Sequence, residues 1–215
     1  MVWLLLGVVA LILVAKPLVG AYRASLPTVL ESWDATSRPT AFDDDLRAHL
    51  QAADFEDAGA HLVDISGFEA VMHLWQRGDG TVATGLTLPD GSMPAHYVTT
   101  VLGEGRGWLE SRTTDRTPGP RQELMQVVPD ASLEDLMAAH DRALGTVTSL
   151  GVTTVRSIEP FDVHLLQGKV TRRSLRHNPL GWFVGLIVKT LAPDRPHRVE
   201  MGPALDRRVR LLRLA

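Results

Sequence analysis

The first apolar stretch is also the longest. Residues 1–15 carry no charged or polar side chain, and Lys16 is the single charge before Arg23. Trp3 and Tyr22 stand 19 positions apart, about 28 Å on a helix, close to a hydrocarbon core of about 30 Å with an aromatic at each interface. Lys16 then reaches toward the Tyr22 side. The pattern predicts a transmembrane anchor over 1–23. A cleaved signal peptide is the rival, with Val19-Gly20-Ala21 as its cleavage site, but the stretch lacks the basic start such a peptide carries. Lys16, Arg23 and Arg38 all follow the apolar run, so the body is expected on the cytoplasmic side of a single-pass protein in the cell membrane.

Residues 31–40 are largely polar without strong periodicity, and 24–40 is read as a linker. Then "TAFDDDLRAHLQAADF" opens with capping residues and carboxylates, which suit a helix N-terminus. Phe42, Leu46, Leu50 and Ala53 form its apolar stripe. The three aspartates read as a charged first turn rather than a metal site. Alternating runs follow at 58–65, 69–77, 81–88, 95–102 and 108–113, separated by "GDG", "PDGS" and "GEGRG". That punctuation is hairpin chemistry. "LGEGRGW" lacks the Lys-Ser/Thr and the helix of a phosphate loop.

"PDASLEDLMAAHDRALGTVTSLG" predicts a helix, with Ser132 and Asp135 in a capping pattern and Gly151 as the stop. A second helix is expected over "PFDVHLLQGKVTRRSLRHN". Asn178-Pro179 then starts a short apolar helix ending at Leu191. The fold class is therefore α+β. An N-terminal transmembrane helix is followed by a helix, a roughly five-stranded antiparallel meander, and C-terminal helices packed on one sheet face. Residues 41–215 form one domain, with a basic, membrane-proximal part from about 160.

Charge sharpens this picture. The chain of 215 residues has a net charge of −3. Residues 24–159 hold 9 basic and 21 acidic side chains, and residues 160–215 hold 11 basic and 4 acidic. Lys169, Arg172, Arg173 and Arg176 fall on one helical face. Such a stripe beside a tether suits anionic headgroups, at about 1 kcal/mol per cation. The expected membrane-contacting residues are Lys169, Arg172, Arg173, Arg176, Trp182 and Phe183. Helix 180–191 has three readings: a core helix, a helix half packed and half in lipid, or a second span, for which it is short. Gly181 and Gly185 would permit close helix contact. No stacking aromatics interleave with the cations, so nucleic acid is not expected as a partner.

Chemistry is sparse. There is no cysteine, which removes disulfides and thiolate ligands, and the eight histidines form no metal motif. Hairpin geometry offers one constellation. A two-residue Asp90-Gly91 turn puts Gly85 opposite His96, and a three-residue "GDG" loop puts His73 opposite Gly85. The two imidazoles would then stand about 9.6 Å apart on one sheet face, beside Trp75, Thr87, Val98 and Thr100. The other face, with Met72, Leu74, Val82, Leu86, Ala95 and Tyr97, reads as core. His140 lies on an apolar stripe and reads as a core histidine. Turned toward the sheet, it would join His73, His96 and Trp75 as a candidate ligand or metal face. No residue is assigned as catalytic or as a metal ligand, and no cofactor is implied. The expectation is a membrane-tethered, non-enzymatic domain that binds a protein partner or small ligand at the bilayer surface. Two alternatives stand beside it: a membrane-associated hydrolase or metal-dependent enzyme using His73, His96 and His140, and a structural subunit of a membrane complex.

Overall fold

The computed structural model describes residues 28–33, 44–64, 69–88, 95–105, 107–113 and 123–191, together with 12, 15–16, 18–20, 22 and 209. The fold is α+β. Seven strands form one sheet in sequence order: β1 (Thr28–Trp33), β2 (Phe55–Asp64), β3 (Glu69–Arg77), β4 (Thr81–Thr87), β5 (Ala95–Leu102), β6 (Gly107–Arg112) and β7 (Glu123–Val127). Neighbours are antiparallel except β6 and β7, which run parallel. Among the described residues four helices have both ends placed: α1 (Asp44–Ala52), α2 (Leu133–Ser149), α3 (Pro160–His177) and α4 (Pro179–Leu191).

The sheet is wider than the five-stranded meander expected. β1 lies inside the stretch read as linker, pairing with β2 through Ser32↔His61 and Trp33↔Ala60. β7 adds a further strand beyond β6, paired with it in parallel. A second correction concerns the faces. The helices do not pack on one side. Phe55, Trp75, Ala83 and Val98 pack with Leu50 of α1 and with Leu136 and Met137 of α2. Leu102, Leu109 and Leu124 meet Ala143, Leu144 and Val147 further along α2. The alternate residues Ala70, Met72, Leu74, Val82 and Val101 pack under α3 through Val163, Phe161 and Leu166. With both faces covered, β4 is buried along nearly its whole length, as the central strand of a two-sided sheet must be.

Local chemistry sets the helix ends. Ser132 Oγ accepts the Asp135 amide at 3.1 Å, and Glu134 and Asp135 sit at the positive end of the α2 dipole. Gly151, at φ 81°, stops the helix. Asn178 serves two helices. Its amide donates to Ser174 O at the end of α3, and its Oδ1 accepts the Gly181 amide at 3.0 Å in the first turn of α4. A Cβ on Gly181 would collide with that Asn178 side chain. Gly181 therefore makes room for a cap, not for the helix contact its spacing from Gly185 suggested.

Among the described residues no helix is long and apolar enough to cross a membrane. The anchor expected over 1–23 falls for the most part outside the described residues; those that are described there are helical.

Candidate functional site

The histidine row forms as the turn chemistry implied. His73 pairs with Gly85, and Gly85 with His96, across β3, β4 and β5. The row does not lie on an open surface, however. His73, Trp75, Thr87, Val98 and Thr100 are all buried, and His96 is half-buried. The expected ligand-facing sheet surface is interior. The His73 and Trp75 rings stack with centroids 6.1 Å apart.

His140 turns toward this face from α2. Its Nε2 is bonded to Thr100 Oγ1 at 2.8 Å and its Nδ1 to Ser111 Oγ at 2.9 Å. Thr100 Oγ1 continues to Thr81 Oγ1 at 2.8 Å, and Gln126 Nε2 donates to Ser111 Oγ at 2.5 Å. One chain of side chains thus links α2 to β4, β5, β6 and β7 without meeting water. A neutral imidazole satisfies both hydroxyls, accepting through one nitrogen and donating through the other. Burial holds the ring neutral, its pKa lowered to about 4. Ser111 and His140 have the separation of a nucleophile and its base, but both are sealed inside, and the ring's other partner is a hydroxyl rather than a carboxylate. They pin α2 to the sheet.

The other face repeats the arrangement with different residues. His164 of α3 is buried, with Nε2 at 3.2 Å from Thr84 Oγ1 and its ring edge-on to Tyr97. Its pKa is also lowered to about 4, chiefly by burial. Three residues on, Gln167 Nε2 donates to Glu110 Oε2 at 2.6 Å, while Arg112 Nε meets Glu110 Oε1 at 2.9 Å. Burial and the Glu110 charge push the Tyr97 phenol up. Sequence reasoning assigns His164 no role and so misses this anchor. Its one local signal is a histidine four positions after Pro160, at the spacing of a helix's buried side. Among the described residues no three His, Asp or Glu side chains are placed to hold a metal ion.

The second candidate surface is the α3–α4 corner. Trp182 was expected to face the membrane. It is instead buried against α3, with Nε1 donating to Ser174 Oγ at 3.2 Å. Phe183 is half-buried. The residues that point outward are Leu180 (69 % exposed), Val184 (58 %), Ile187 (42 %) and Val188 (57 %). They recur at i, i+4, i+7 and i+8, which is one side of a helix. Lys169, Arg173 and Arg176 are exposed on α3. Arg172 Nε donates to Tyr22 O at 3.1 Å, with its guanidinium 4.6 Å from the Tyr22 ring centre. Arg176 donates to the Tyr22 hydroxyl and lies 5.3 Å from the same ring. Two cations of the stripe therefore clasp the tyrosine that ends the first apolar segment.

Comparison with protein-family descriptions, with curated proteins and with solved structures found no match to the chain.

Proposed function

We propose that this chain is a membrane-tethered, non-enzymatic α+β domain. Residues 1–23 anchor it, its body faces the cytoplasm, and it engages a protein partner or a small ligand at the bilayer surface. The observation that carries this reading is the clasp of Arg172 and Arg176 on Tyr22. A tyrosine at the end of an apolar segment sits at headgroup level, with its ring toward the acyl chains and its hydroxyl toward water. Arginines that hold it there lie at the same level, where anionic lipid favours them. The non-enzymatic part of the reading is supported by the use made of the histidines. His140 and His164 tie helices to the sheet as neutral struts, and His73 is packed against Trp75.

Membrane flotation and alkaline extraction of the full chain test the tether. The chain should float with vesicles and stay with them at alkaline pH. A C-terminal reporter active only after export should stay dark. Release of the chain by alkali, or a bright export reporter, would refute the anchor or its orientation respectively.

A further inference from the structure

We propose that α4 is a second membrane contact: its outward side lies in the plane of an anionic leaflet, with Leu180, Val184, Ile187 and Val188 among the upper acyl chains. The inference rests on the tethered-domain reading and adds the surface by which the body meets the bilayer.

Four observations converge on a lipid occupant. First, every large apolar side chain that is well exposed among the described residues falls in 12–30 or 180–188. The well-exposed apolar side chains are thus concentrated in the N-terminal stretch and on α4. Second, the rotation of α4 about its axis is fixed by protein. Trp182 is held on α3 by Ser174, and Asn178 caps the first turn. The apolar side is thus presented outward by packing rather than left over from it. Third, the chain that forms α3 and α4 carries one sign of charge after Asp162. Between Asp162 and Asp194 the chain has no acidic residue and five Lys or Arg. An apolar strip that follows the exposed cations Lys169, Arg173 and Arg176 of α3 matches an anionic leaflet, where cations meet headgroups while the strip enters the acyl boundary. Fourth, Arg172 and Arg176 sit one to two turns before α4 and hold Tyr22, so the strip and the end of the first apolar segment approach the same plane. Thirteen helical residues reach about 20 Å, too little to cross a core of about 30 Å. An in-plane position satisfies the apolar side without a span.

The absence of cysteine permits a direct test in the full chain. Val184→Cys is compared with Ser149→Cys, an exposed position at the far end of α2, in vesicles containing phosphatidylserine. The V184C thiol should react with a membrane-impermeant maleimide about tenfold or more slowly than the S149C thiol, the ratio expected from burying one aliphatic side chain. A polarity-sensitive dye on V184C should shift to the blue and be quenched by lipids brominated on their acyl chains. Should the chain float while the V184C dye reports water, α4 docking is wrong and the tether stands. If the chain fails to float, the tether itself is wrong. A blue-shifted dye untouched by brominated lipid means that α4 is covered by protein, a second copy or another chain, which also overturns the proposal.

Discussion

Acidification from about pH 7 to about pH 4.5 is expected to remove several kcal/mol of folding stability, before any carboxylate of ordinary pKa is fully protonated. The cause is the pair of buried imidazoles, one on each face of the sheet. His140 and His164 each have a folded-state pKa of about 4, against an ordinary value of 6.5. The unfolded chain takes up these two protons as the pH falls through about 6.5, while the folded chain cannot until about 4. Unfolding therefore binds protons in that window, and stability falls with pH across it. The stabilisation is complete above pH 6.5, drains away toward pH 4, and changes no further below. Each histidine contributes up to about 3 kcal/mol. Together they rival a large part of a typical domain's 5–15 kcal/mol, roughly stated. His61 and His96, also lowered by burial, act in the same direction.

Denaturant midpoints of the full chain in detergent, taken at half-unit steps of pH, check this. His140→Gln should cost stability at pH 7 by leaving Thr100 or Ser111 poorly bonded, and should flatten the pH dependence by about one proton. A midpoint constant between pH 7 and 4.5 would show that the imidazoles are already protonated or solvated. Asp79 gives a separate signature. Burial would raise its carboxyl, but its bonds to Arg77 and Thr81 prevail and hold it below the usual carboxylate range, so the stability it lends is lost mainly below about pH 4. Most of the histidine loss comes before that.

The histidine row was legible because turn chemistry is local. The β3–β4 and β4–β5 pairings have the registers that the Gly78-Asp79-Gly80 and Asp90-Gly91 signals predict, and those registers alone place His73, Gly85 and His96 side by side. The fate of the face was not legible. Thr81, Thr87 and Thr100 are polar side chains on one sheet face, as a solvated side would carry, yet they are buried. Thr81 and Thr100 are satisfied there by a chain that runs through His140, 40 positions after Thr100, and Ser111, 29 before it. Nothing within a strand's own sequence records a partner that distant. β1 and β7 escaped for a related reason. Each has one bonded neighbour in the sheet, and β7 pairs with β6 in parallel, an arrangement that no two-residue hairpin turn can announce. The corner between α3 and α4 shows both outcomes. Asn178-Pro179 announced the break, but the inward turn of Trp182 depends on Ser174, across that break.

Gly80→Ala is expected to destabilise the fold by about 3 kcal/mol, combining left-handed backbone strain with overpacking. Gly80 has φ 86°. A Cβ there would press on the Val155 carbonyl oxygen and come within 2.8 Å of Arg156 Cα. Neither obstacle is a flexible side-chain tip. Nor can the Val155 backbone retreat freely, because its amide donates to Val101 O at 2.9 Å, and two residues earlier Thr153 O accepts the Gly103 amide at 2.9 Å. This short segment carries the chain from α2 on one face, around the end of the sheet, to α3 on the other. Two further glycines separate the causes. Gly105 shares the left-handed φ, at 87°, but has open space where a Cβ would go. Gly105→Ala should then cost only the backbone strain, about 1 kcal/mol. Gly78 has open space and no left-handed φ, so Gly78→Ala should stay within about 0.5 kcal/mol of the parent. Chemical denaturation of the three variants ranks them. Equal losses for Gly80→Ala and Gly105→Ala would mean that the Val155 segment yields at little cost, and that the crossing between the faces is not held rigidly against the β3–β4 turn. A larger loss for Gly80→Ala, with α3 amides exchanging faster while α2 amides keep their protection, would tie the placement of α3 to this one close approach of backbone to backbone.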